Sequence, residues 1–292
     1  MALKTTILIT GSSGYLGKNI KELLQDKYSL LTPSRKELNI LDSILVDKYF
    51  KTHKIDVVIH CAVNGGSRKE EEKESALQEN LKMFFNITRN KKHFKKMIHF
   101  GSGAEYDKRF PIVKVNEKDF DKRIPIDDYG LFKYICSKYI ESSDKIICLR
   151  VFGLFGKYED YRYRFISNAI CRNILGMPIT LRQNAYFDYV YIKDFIKIIE
   201  WLIDNRPKHK FYNIGSGKKI SLLEITKKIE KITNKKSEIK LKQRGLNKEY
   251  TCDNSLILKE LKGFKFTNFD LSLQELYEWY KVNKLIIDKK SL

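Results

Sequence analysis

An apolar strand that runs straight into a glycine-rich turn leaves few folds open to this 292-residue chain. The run Thr6–Thr10 is predicted to be a buried strand, and Gly11, Gly14 and Gly17 follow it with G-x-x-G-x-x-G spacing. The first glycine permits a tight turn, the second lets the backbone approach a pyrophosphate, and the third lets a helix pack on the strand. The N-terminus of that helix presents unpaired N–H groups to phosphates. Glycines also serve ordinary turns, so it is the position between strand and helix that favours a dinucleotide site.

Apolar runs alternate with segments of helical spacing over the first half of the chain, which is typical of a parallel sheet covered on both faces. The predicted strands are Thr6–Thr10, Ser29–Thr32, Ile55–Ala62, Met97–Phe100 and Lys145–Val151. The predicted helices are Lys18–Lys27, Leu45–Phe50, Glu71–Asn90 and Tyr129–Ser142. We therefore predict an α/β fold with a doubly wound parallel Rossmann sheet.

The alternation loosens after about residue 155, which indicates a second part of different construction. Its predicted strands are Tyr186–Ile192 and Phe211–Ile214, and its predicted helices are Phe165–Leu175, Ser221–Thr233 and Leu271–Val282. We predict that residues 1–155 and 184–216 form the cofactor-binding Rossmann domain. Residues 156–183 and 217–292 are predicted to form a smaller, irregular C-terminal α/β lobe that binds substrate.

Composition excludes several classes of protein. No apolar window is long enough for a membrane span, and the N-terminal apolar run is too short for a signal peptide. The five cysteines are scattered without a C-x-x-C pair, so neither a disulfide framework nor a zinc site is predicted, and reduced thiols favour a cytoplasmic location. The net charge of +20 is spread along the whole chain, which favours solvated faces over nucleic-acid binding, although it can attract an anionic substrate.

The five histidines show no metal-ligand spacing, and no metal site is predicted. His60 and His99 lie within apolar runs. We predict that they are core residues with satisfied hydrogen bonds rather than catalytic groups.

The end of the second predicted strand indicates which dinucleotide is bound. An acidic residue that binds a ribose 2′-hydroxyl is usual there, whereas this chain has Pro33, Ser34 and Arg35. An arginine can pair bidentately with a 2′-phosphate, so Arg35, with Ser34 as a second donor, predicts NADP(H) rather than NAD(H). A solvent-exposed arginine on a loop is the alternative. Asp42 is predicted either to contact the adenine amine or to N-cap the next helix.

A tyrosine and a lysine lie four residues apart, at Tyr129 and Lys133, on one face of a predicted helix. An ammonium beside a phenol stabilises the phenolate, which suits proton exchange with a carbonyl or an alcohol. The spacing alone is common. Its position supports a role, because Ser102 closes the preceding strand and open α/β sheets bind ligands at the carboxyl ends of their strands.

Together these motifs resemble the extended short-chain dehydrogenases/reductases, which include nucleotide-sugar epimerases, dehydratases and ketoreductases. The similarity spans nearly the whole chain. The matching motifs are Thr10–Gly17, Ser102 with Tyr106, Tyr129 with Lys133, Tyr189–Asp194 and Tyr212–Gly217, and Arg35–Asp42 resembles GDP-fucose synthase and related reductases. The resemblance implies that Tyr129 is the general acid, that Ser102 hydrogen-bonds the substrate oxygen and that Lys133 holds the nicotinamide ribose. The residues predicted to contact the cofactor are Gly11, Ser13, Gly14, Tyr15, Leu16, Gly17, Ser34, Arg35, Asp42, Ala62, Tyr129 and Lys133.

Departures from the family pattern narrow the expected reaction. Sugar dehydratases have Thr-Asp-Glu where this chain has Ser102-Gly103-Ala104, and GDP-fucose synthase has a cysteine where this chain has Ala104. Dehydration and epimerisation beside the carbonyl therefore lack their proton carriers. We predict NADPH-dependent reduction at C4 of a nucleotide-linked 4-keto-6-deoxy sugar, and Arg35 supports this because epimerases of the group usually hold NAD. A 4-epimerase and a non-catalytic NADP-binding regulator are the alternatives.

Substrate contacts are implied by the same resemblance. The family commonly has a pyrophosphate-binding arginine where this chain has Phe187, and a second where it has Arg244. Arg182, with Arg162 or Arg164, can compensate for Phe187. A nucleotide-diphosphate sugar is therefore the predicted substrate, held by Arg182 and Arg244. The predicted helices Glu71–Asn90 and Tyr129–Ser142 form the dimer interface in many relatives, so a homodimer is expected.

Overall fold

The computed structural model describes residues 4–65 and 75–292. Its strands are β1 (Thr6–Thr10), β2 (Ser29–Leu31), β3 (Val57–His60), β4 (Lys96–Ser102), β5 (Ile112–Val115), β6 (Ile146–Val151), β7 (Gly153–Phe155), β8 (Ile179–Asn184), β9 (Tyr186–Tyr191), β10 (Phe211–Ile214), β11 (Lys219–Ser221), β12 (Ile239–Leu246) and β13 (Tyr250–Cys252). Its helices are α1 (Tyr15–Leu24), α2 (Ser43–Thr52), α3 (Ala76–Thr88), α4 (Asp128–Glu141), α5 (Phe165–Leu175), α6 (Ile192–Asp204), α7 (Leu222–Thr233), α8 (Ser255–Glu260) and α9 (Phe269–Val282). The predicted start of the third helix, at Glu71, lies outside the described residues.

The first compact unit comprises Met1–Arg109, Glu117–Val151 and Ile196–Asn213. It contains a six-stranded sheet in the order β10-β6-β4-β3-β1-β2. The pairings of β1 with β2 and β3, of β3 with β4 and of β4 with β6 are all parallel. The predicted Rossmann fold is confirmed. Because the strand order reverses between β1 and β3, the carboxyl ends of these two strands form the switch point at which such sheets bind ligands.

Helices α3 and α4 cover one face of this sheet. Phe84 of α3 and Phe132 of α4 are almost completely buried with Val58 and Met97 of the sheet in one apolar cluster. Burial of such side chains is the main favourable term in folding. The packing fixes α4, and with it Tyr129 and Lys133, against the central strands.

Helices α6 and α8 are absent from the sequence prediction, and α1 differs from it in where it begins. Helix α1 begins at Tyr15 rather than Lys18, because Gly14 in extended backbone serves as its N-cap. Helix α6 was not predicted, because it follows β9 with no intervening turn residue to mark its start. The earlier start of α1 brings Gly17 into its first turn.

The second compact unit comprises Phe110–Asn116, Phe152–Phe195 and Ile214–Leu292. It contains one sheet in the order β11-β9-β13-β5, with β7 paired to β9, and a separate parallel pair of β12 and β8. Strand β9, which the sequence analysis assigns to the cofactor-binding domain, is therefore part of this unit's sheet. The paired strands β8 and β12 are absent from the sequence prediction. Strand β12 is exposed along nearly its whole length, and its alternation of apolar and polar residues is confined to its first four residues. Within the described part of the chain, no helix is long and apolar enough to cross a membrane.

Candidate active site

The glycine-rich turn is held against the end of β3. Gly11 has a positive φ of 68°, and a Cβ added to it would lie 2.7 Å from the backbone nitrogen of Ala62. A Cβ on Gly17 would lie 2.3 Å from the carbonyl oxygen of Gly11. Only glycine fits at these two positions, because the obstructing atoms are backbone. Gly11, Gly17 and Ala62 thus meet at the switch point of the sheet.

The middle glycine of the turn is under no such constraint. A Cβ on Gly14 would approach only the carbonyl oxygen of Gly11, at an ordinary 3.4 Å. Ser13 and Gly14 are exposed, and no side chain caps the N-terminus of α1 at Gly14. An open helix N-terminus at the switch point fits the pyrophosphate of a dinucleotide, and the space beside Gly14 is where that group would approach. Tyr15 and Leu16, both half-buried, form the first turn of the helix.

The loop after β2 presents Ser34 and Arg35 to solvent. The backbone N–H of Ser34 donates to Oε2 of Glu37 at 2.7 Å, and the Ser34 hydroxyl accepts from the backbone N–H of Glu37 at 3.4 Å. The backbone N–H and the hydroxyl of Ser34 both interact with the Glu37 carboxyl and hold its pKa below its usual range. In the part of the chain that the structure describes, the Arg35 guanidinium pairs with no carboxylate, so its donors remain open to a phosphate.

Asp42 has a structural role. Its Oδ1 accepts from the backbone N–H groups of Ile44 at 2.9 Å and Leu45 at 3.0 Å, so it N-caps α2. Of the two roles considered for this residue, the structure provides the helix cap. The adenine contact stays a prediction.

Tyr129 and Lys133 lie on the part of α4 that packs against β4. Lys133 is only 6% exposed, and its Nζ donates to the carbonyl oxygen of Phe100 at 2.6 Å. The same ammonium lies 5.7 Å from the centre of the Tyr129 ring. Tyr129 is half-buried in the first turn of α4, which Asp127 caps by accepting from the Gly130 N–H at 3.0 Å. The phenol and the ammonium are therefore neighbours, as the four-residue spacing predicts.

Ser102 ends β4, the strand to which Lys133 is anchored. It is 7% exposed, and its hydroxyl accepts from the backbone N–H of Ala104 at 3.1 Å. The hydroxyl can still donate its own hydrogen to a substrate oxygen. A second ammonium, that of Lys108, lies 5.9 Å from the centre of the Tyr129 ring and pairs with Asp127 at 2.9 Å. Lys108 was not singled out from the sequence, because only its fold brings it to Tyr129.

The end of β3 lies between the glycine turn and the residues Ser102, Tyr129 and Lys133. Strand β3 lies between β1 and β4, and Cys61 and Ala62 follow it. Burial raises the pKa of the Cys61 thiol, and the Lys133 ammonium opposes that rise. The glycine turn and the Tyr129–Lys133 pair thus lie at the same edge of one sheet.

His60 and His99 are core residues, but the expectation that both are satisfied was wrong. His60 shares a 2.7 Å hydrogen bond between its Nδ1 and Oγ1 of Thr10. Both ring nitrogens of His99 lack a hydrogen-bond partner in the described part of the chain. Burial, together with the Lys133 ammonium, lowers the pKa of His60 to about 3 and that of His99 well below its usual range. Both rings are therefore neutral at physiological pH, and a hydrophobic pattern cannot reveal whether a buried ring finds a partner.

The predicted substrate arginines lie in the second unit. Arg182 of β8 is exposed and lines a cavity of about 370 Å³. The other residues lining this cavity are Thr180, Leu181, Lys242 and Gln243. Arg244 is exposed on β12, and its carbonyl oxygen accepts from Gln183 Nε2 at 3.2 Å. The two arginines therefore lie on paired neighbouring strands, whereas Phe187 packs against the rings of Tyr189 and Tyr250.

Comparison with known proteins identifies the family. The family model described as "NAD dependent epimerase/dehydratase family" matches residues 7–215. The chain belongs to this family. The resemblance drawn from the sequence motifs is confirmed at that level. Within residues 4–65 and 75–292, no group of His, Cys, Asp and Glu side chains is arranged to hold a metal ion.

Other members of the NAD dependent epimerase/dehydratase family differ in the activity that their names give. GDP-L-colitose synthase of Yersinia pseudotuberculosis is 26% identical, over 86% of this chain and 90% of the relative. Probable UDP-arabinose 4-epimerase 3 of Arabidopsis thaliana is 25% identical, over 96% of this chain and 82% of the relative. The structure of MlghC, the GDP-mannoheptose C4 reductase of Campylobacter jejuni with NADP bound, superposes with a TM-score of 0.78 at 20% identity, over 96% of this chain and 99% of that one. This last likeness shows the fold.

Proposed function

We propose that this protein uses NADPH to reduce a nucleotide-linked 4-keto-6-deoxy sugar at C4. The observation that carries the proposal is the placement of Ser102, Tyr129 and Lys133 at the same sheet edge as the glycine turn. Relatives named as a GDP-L-colitose synthase and a GDP-mannoheptose C4 reductase support a nucleotide sugar as substrate.

Each residue of this group has a defined task. Lys133 would hold the ribose of a bound nicotinamide, which would supply hydride to the carbonyl carbon. Tyr129 donates a proton to the carbonyl oxygen, and Ser102 donates a hydrogen bond to the same oxygen. Lys133 stabilises the resulting phenolate from the buried side, where low dielectric strengthens the attraction. Ala104 offers no acid or base, so neither the loss of water nor inversion beside the carbonyl has a proton carrier there.

NADPH is proposed over NADH because of Arg35. Its guanidinium is exposed, free of a carboxylate partner within the described residues, and placed after β2 where an acidic residue would bind a ribose 2′-hydroxyl. The bound NADP named for the heptose reductase agrees with this choice, whereas the family description names NAD. Asp42 does not contribute to this choice of cofactor, since its carboxylate caps α2.

The direct test measures NADPH oxidation from the loss of NADPH absorbance. The substrates offered are 4-keto-6-deoxy sugars linked to GDP, CDP, dTDP and UDP. We expect turnover with at least one of them, and a loss of that turnover when the proposed diphosphate ligands Arg182 and Arg244 are both replaced by Ala. A matched control is Lys240→Ala, which removes a neighbouring exposed cation of β12. No oxidation with any member of the panel would overturn the proposal.

A 4-epimerase is the second candidate, and the probable UDP-arabinose 4-epimerase among the relatives favours it. The Ser102, Tyr129 and Lys133 group serves either reaction, because epimerisation at C4 is oxidation followed by reduction. Incubation of UDP-arabinose or UDP-glucose with NAD, with products resolved by chromatography, separates the two. Conversion without net change in NADH identifies an epimerase. NADP binding with no conversion of any sugar would instead indicate a regulator.

We also propose a cytoplasmic homodimer that pairs through α3 and α4. Phe85 of α3 is 38% exposed, and its ring lies 5.2 Å from that of Tyr139 on α4, so an apolar surface runs across both helices. Light scattering should give twice the mass of one 34.5 kDa chain. A mass near that of one chain would contradict the dimer.

A further inference from the structure

The carboxylate of Glu105 is completely buried between the end of β4, helix α4 and β6. We propose that Glu105 is a positioning residue, which holds Ser102 at a fixed place relative to α4. The inference rests on the proposed function only for the roles that it gives to Ser102 and to the helix residues Tyr129 and Lys133.

The Glu105 carboxylate binds both Ser102 and helix α4. Its Oε1 accepts from the backbone N–H of Ser102 at 2.8 Å, and its Oε2 accepts from the hydroxyl of Ser137 on α4 at 2.6 Å. The Ser102 hydroxyl completes the local turn by accepting from the Ala104 N–H. Hydrogen bonds to a carboxylate are short and strong. The bridge from Ser102 through Glu105 to Ser137 therefore resists displacement of Ser102.

The bridge reaches the functional face of α4. Ser137 follows Lys133 by four residues and Tyr129 by eight, and residues at these spacings lie on one face of a helix. The Glu105 carboxylate therefore sets the separation between the residue that would hydrogen-bond the substrate oxygen and the helix face that would protonate it. A shift of about 1 Å in such a group can cost about a hundredfold in rate.

Arg150 offsets the cost of burying the Glu105 carboxylate by forming an ion pair with it. Its Nε donates to Oε2 of Glu105 at 2.7 Å, and both side chains are at most 1% exposed. The guanidinium lies 4.1 Å from the centre of the Phe120 ring and 4.6 Å from that of Phe211, so two aromatic rings fix its plane. An unpaired buried charge is strongly unfavourable, and the ion pair with Arg150 therefore fixes the orientation of the Glu105 carboxylate.

Two glycines give the bridge its room. A Cβ on Gly101 would lie 2.4 Å from Oε1 of Glu105 and 2.7 Å from Sγ of Cys148. A Cβ on Gly130, the residue after Tyr129, would lie 3.0 Å from the carbonyl oxygen of Ala104. The absence of a side chain at Gly101 thus leaves room for the Glu105 carboxylate, and its absence at Gly130 allows α4 to approach the turn at Ser102.

Ser137→Ala tests the proposal, because it cuts the bridge to α4 without leaving an unpaired charge. The matched control is Ser167→Ala, since the fully buried Ser167 hydroxyl donates to the buried Glu159 carboxyl group at 2.7 Å in the second unit. We expect Ser137→Ala to lower kcat about tenfold, the effect of one charge-assisted hydrogen bond, with the KM for the keto sugar and the Kd for NADPH within about twofold. Ser167→Ala should lose similar thermal stability and keep its kcat.

Amide hydrogen exchange of the segment 101–107 provides a readout that needs no substrate. It should become at least about tenfold faster in Ser137→Ala and stay unchanged in Ser167→Ala, because only the first variant removes the α4 hydrogen bond from the carboxylate that accepts from the Ser102 N–H. Equal losses of kcat in the two variants, or unchanged exchange in Ser137→Ala, would overturn the proposal. If the wild-type protein oxidises no NADPH with any sugar of the panel, the proposed function fails, and the exchange result alone decides whether Glu105 positions Ser102.

Discussion

The Lys133 ammonium lies 5.7 Å from the centre of the Tyr129 ring, on the buried side of α4. Its position does not depend on the phenol, because the carbonyl oxygen of Phe100 accepts from Nζ at 2.6 Å. The cation therefore stays in place when the phenol ionises or when its oxygen is removed. This independence makes the acid separable from its support by mutation.

Replacing Tyr129 by Phe removes the proposed acid and keeps the ring. We expect kcat to fall roughly 10²- to 10⁴-fold, the usual contribution of general acid catalysis, with NADPH binding nearly unchanged. Steady-state kinetics and NADPH fluorescence titration measure the two quantities. Tyr139→Phe removes a phenol oxygen from the same helix and should retain full activity. A Tyr129→Phe variant that keeps most of its rate would show that another group supplies the proton.

Replacing Arg35 by Asp tests the choice of cofactor. A guanidinium that pairs with the 2′-phosphate contributes a charge-assisted interaction, so the Kd for NADPH should rise about tenfold to a hundredfold and that for NADH much less. Isothermal titration of both dinucleotides measures the difference. Lys36→Asp, in the same exposed loop, makes the same change of charge one residue away and serves as the control. Equal weakening of the two cofactors would refute the assignment to NADPH.

Gly14 and Gly17 of the first turn should respond differently to replacement by alanine. At Gly17 the added methyl group would collide with the backbone of Gly11, so Gly17→Ala should lower the melting temperature by several degrees or more. At Gly14 the methyl group meets only ordinary contacts inside the protein. Gly14→Ala should therefore melt like the wild type and yet bind NADPH at least about tenfold more weakly, because it obstructs the approach of the pyrophosphate.

Calorimetry and NADPH titration of the two glycine variants together make the comparison decisive. A Gly14→Ala protein with unchanged stability and unchanged NADPH affinity would place the dinucleotide elsewhere on the molecule.

The sequence predicts those parts of the site that depend on local pattern. Helical spacing is enough to bring Tyr129 and Lys133 together, and an apolar strand followed by glycines predicts the turn at the sheet edge. The sequence does not single out Glu105, because its partners Ser137 and Arg150 are distant along the chain. Only the fold brings helix α4 and strand β6 to it. Long-range hydrogen bonds of this kind leave no periodic signal.

His99 and strand β12 differ from the sequence prediction for the same physical reason. His99 was predicted to be buried from its apolar neighbours, and it is, but no local pattern tells whether its ring nitrogens find partners. Strand β12 is exposed and rich in lysine, so its pairing with β8 is set by backbone hydrogen bonds rather than by side chains that a sequence displays.

The buried carboxyl of Glu159 should make the stability of the protein depend on pH. Burial raises its pKa to about 8, despite the hydrogen bond from Ser167, whereas its unperturbed value is 4.5. A group whose pKa is raised in the folded state stabilises that state fully below its unfolded pKa, and this contribution is lost as the pH rises through the folded value. Glu159→Gln stays neutral, so relative to the wild type it should gain roughly 2 kcal/mol or more between about pH 5 and pH 9. Calorimetric melting of both proteins across this range measures the difference.

Glu224→Gln is the control, because hydrogen bonds from Ser221 lower the pKa of the Glu224 carboxyl. The effect of this substitution on stability should therefore be constant above about pH 6. Parallel stability curves for Glu159→Gln and the wild type would show that Glu159 is ionised in the folded protein throughout.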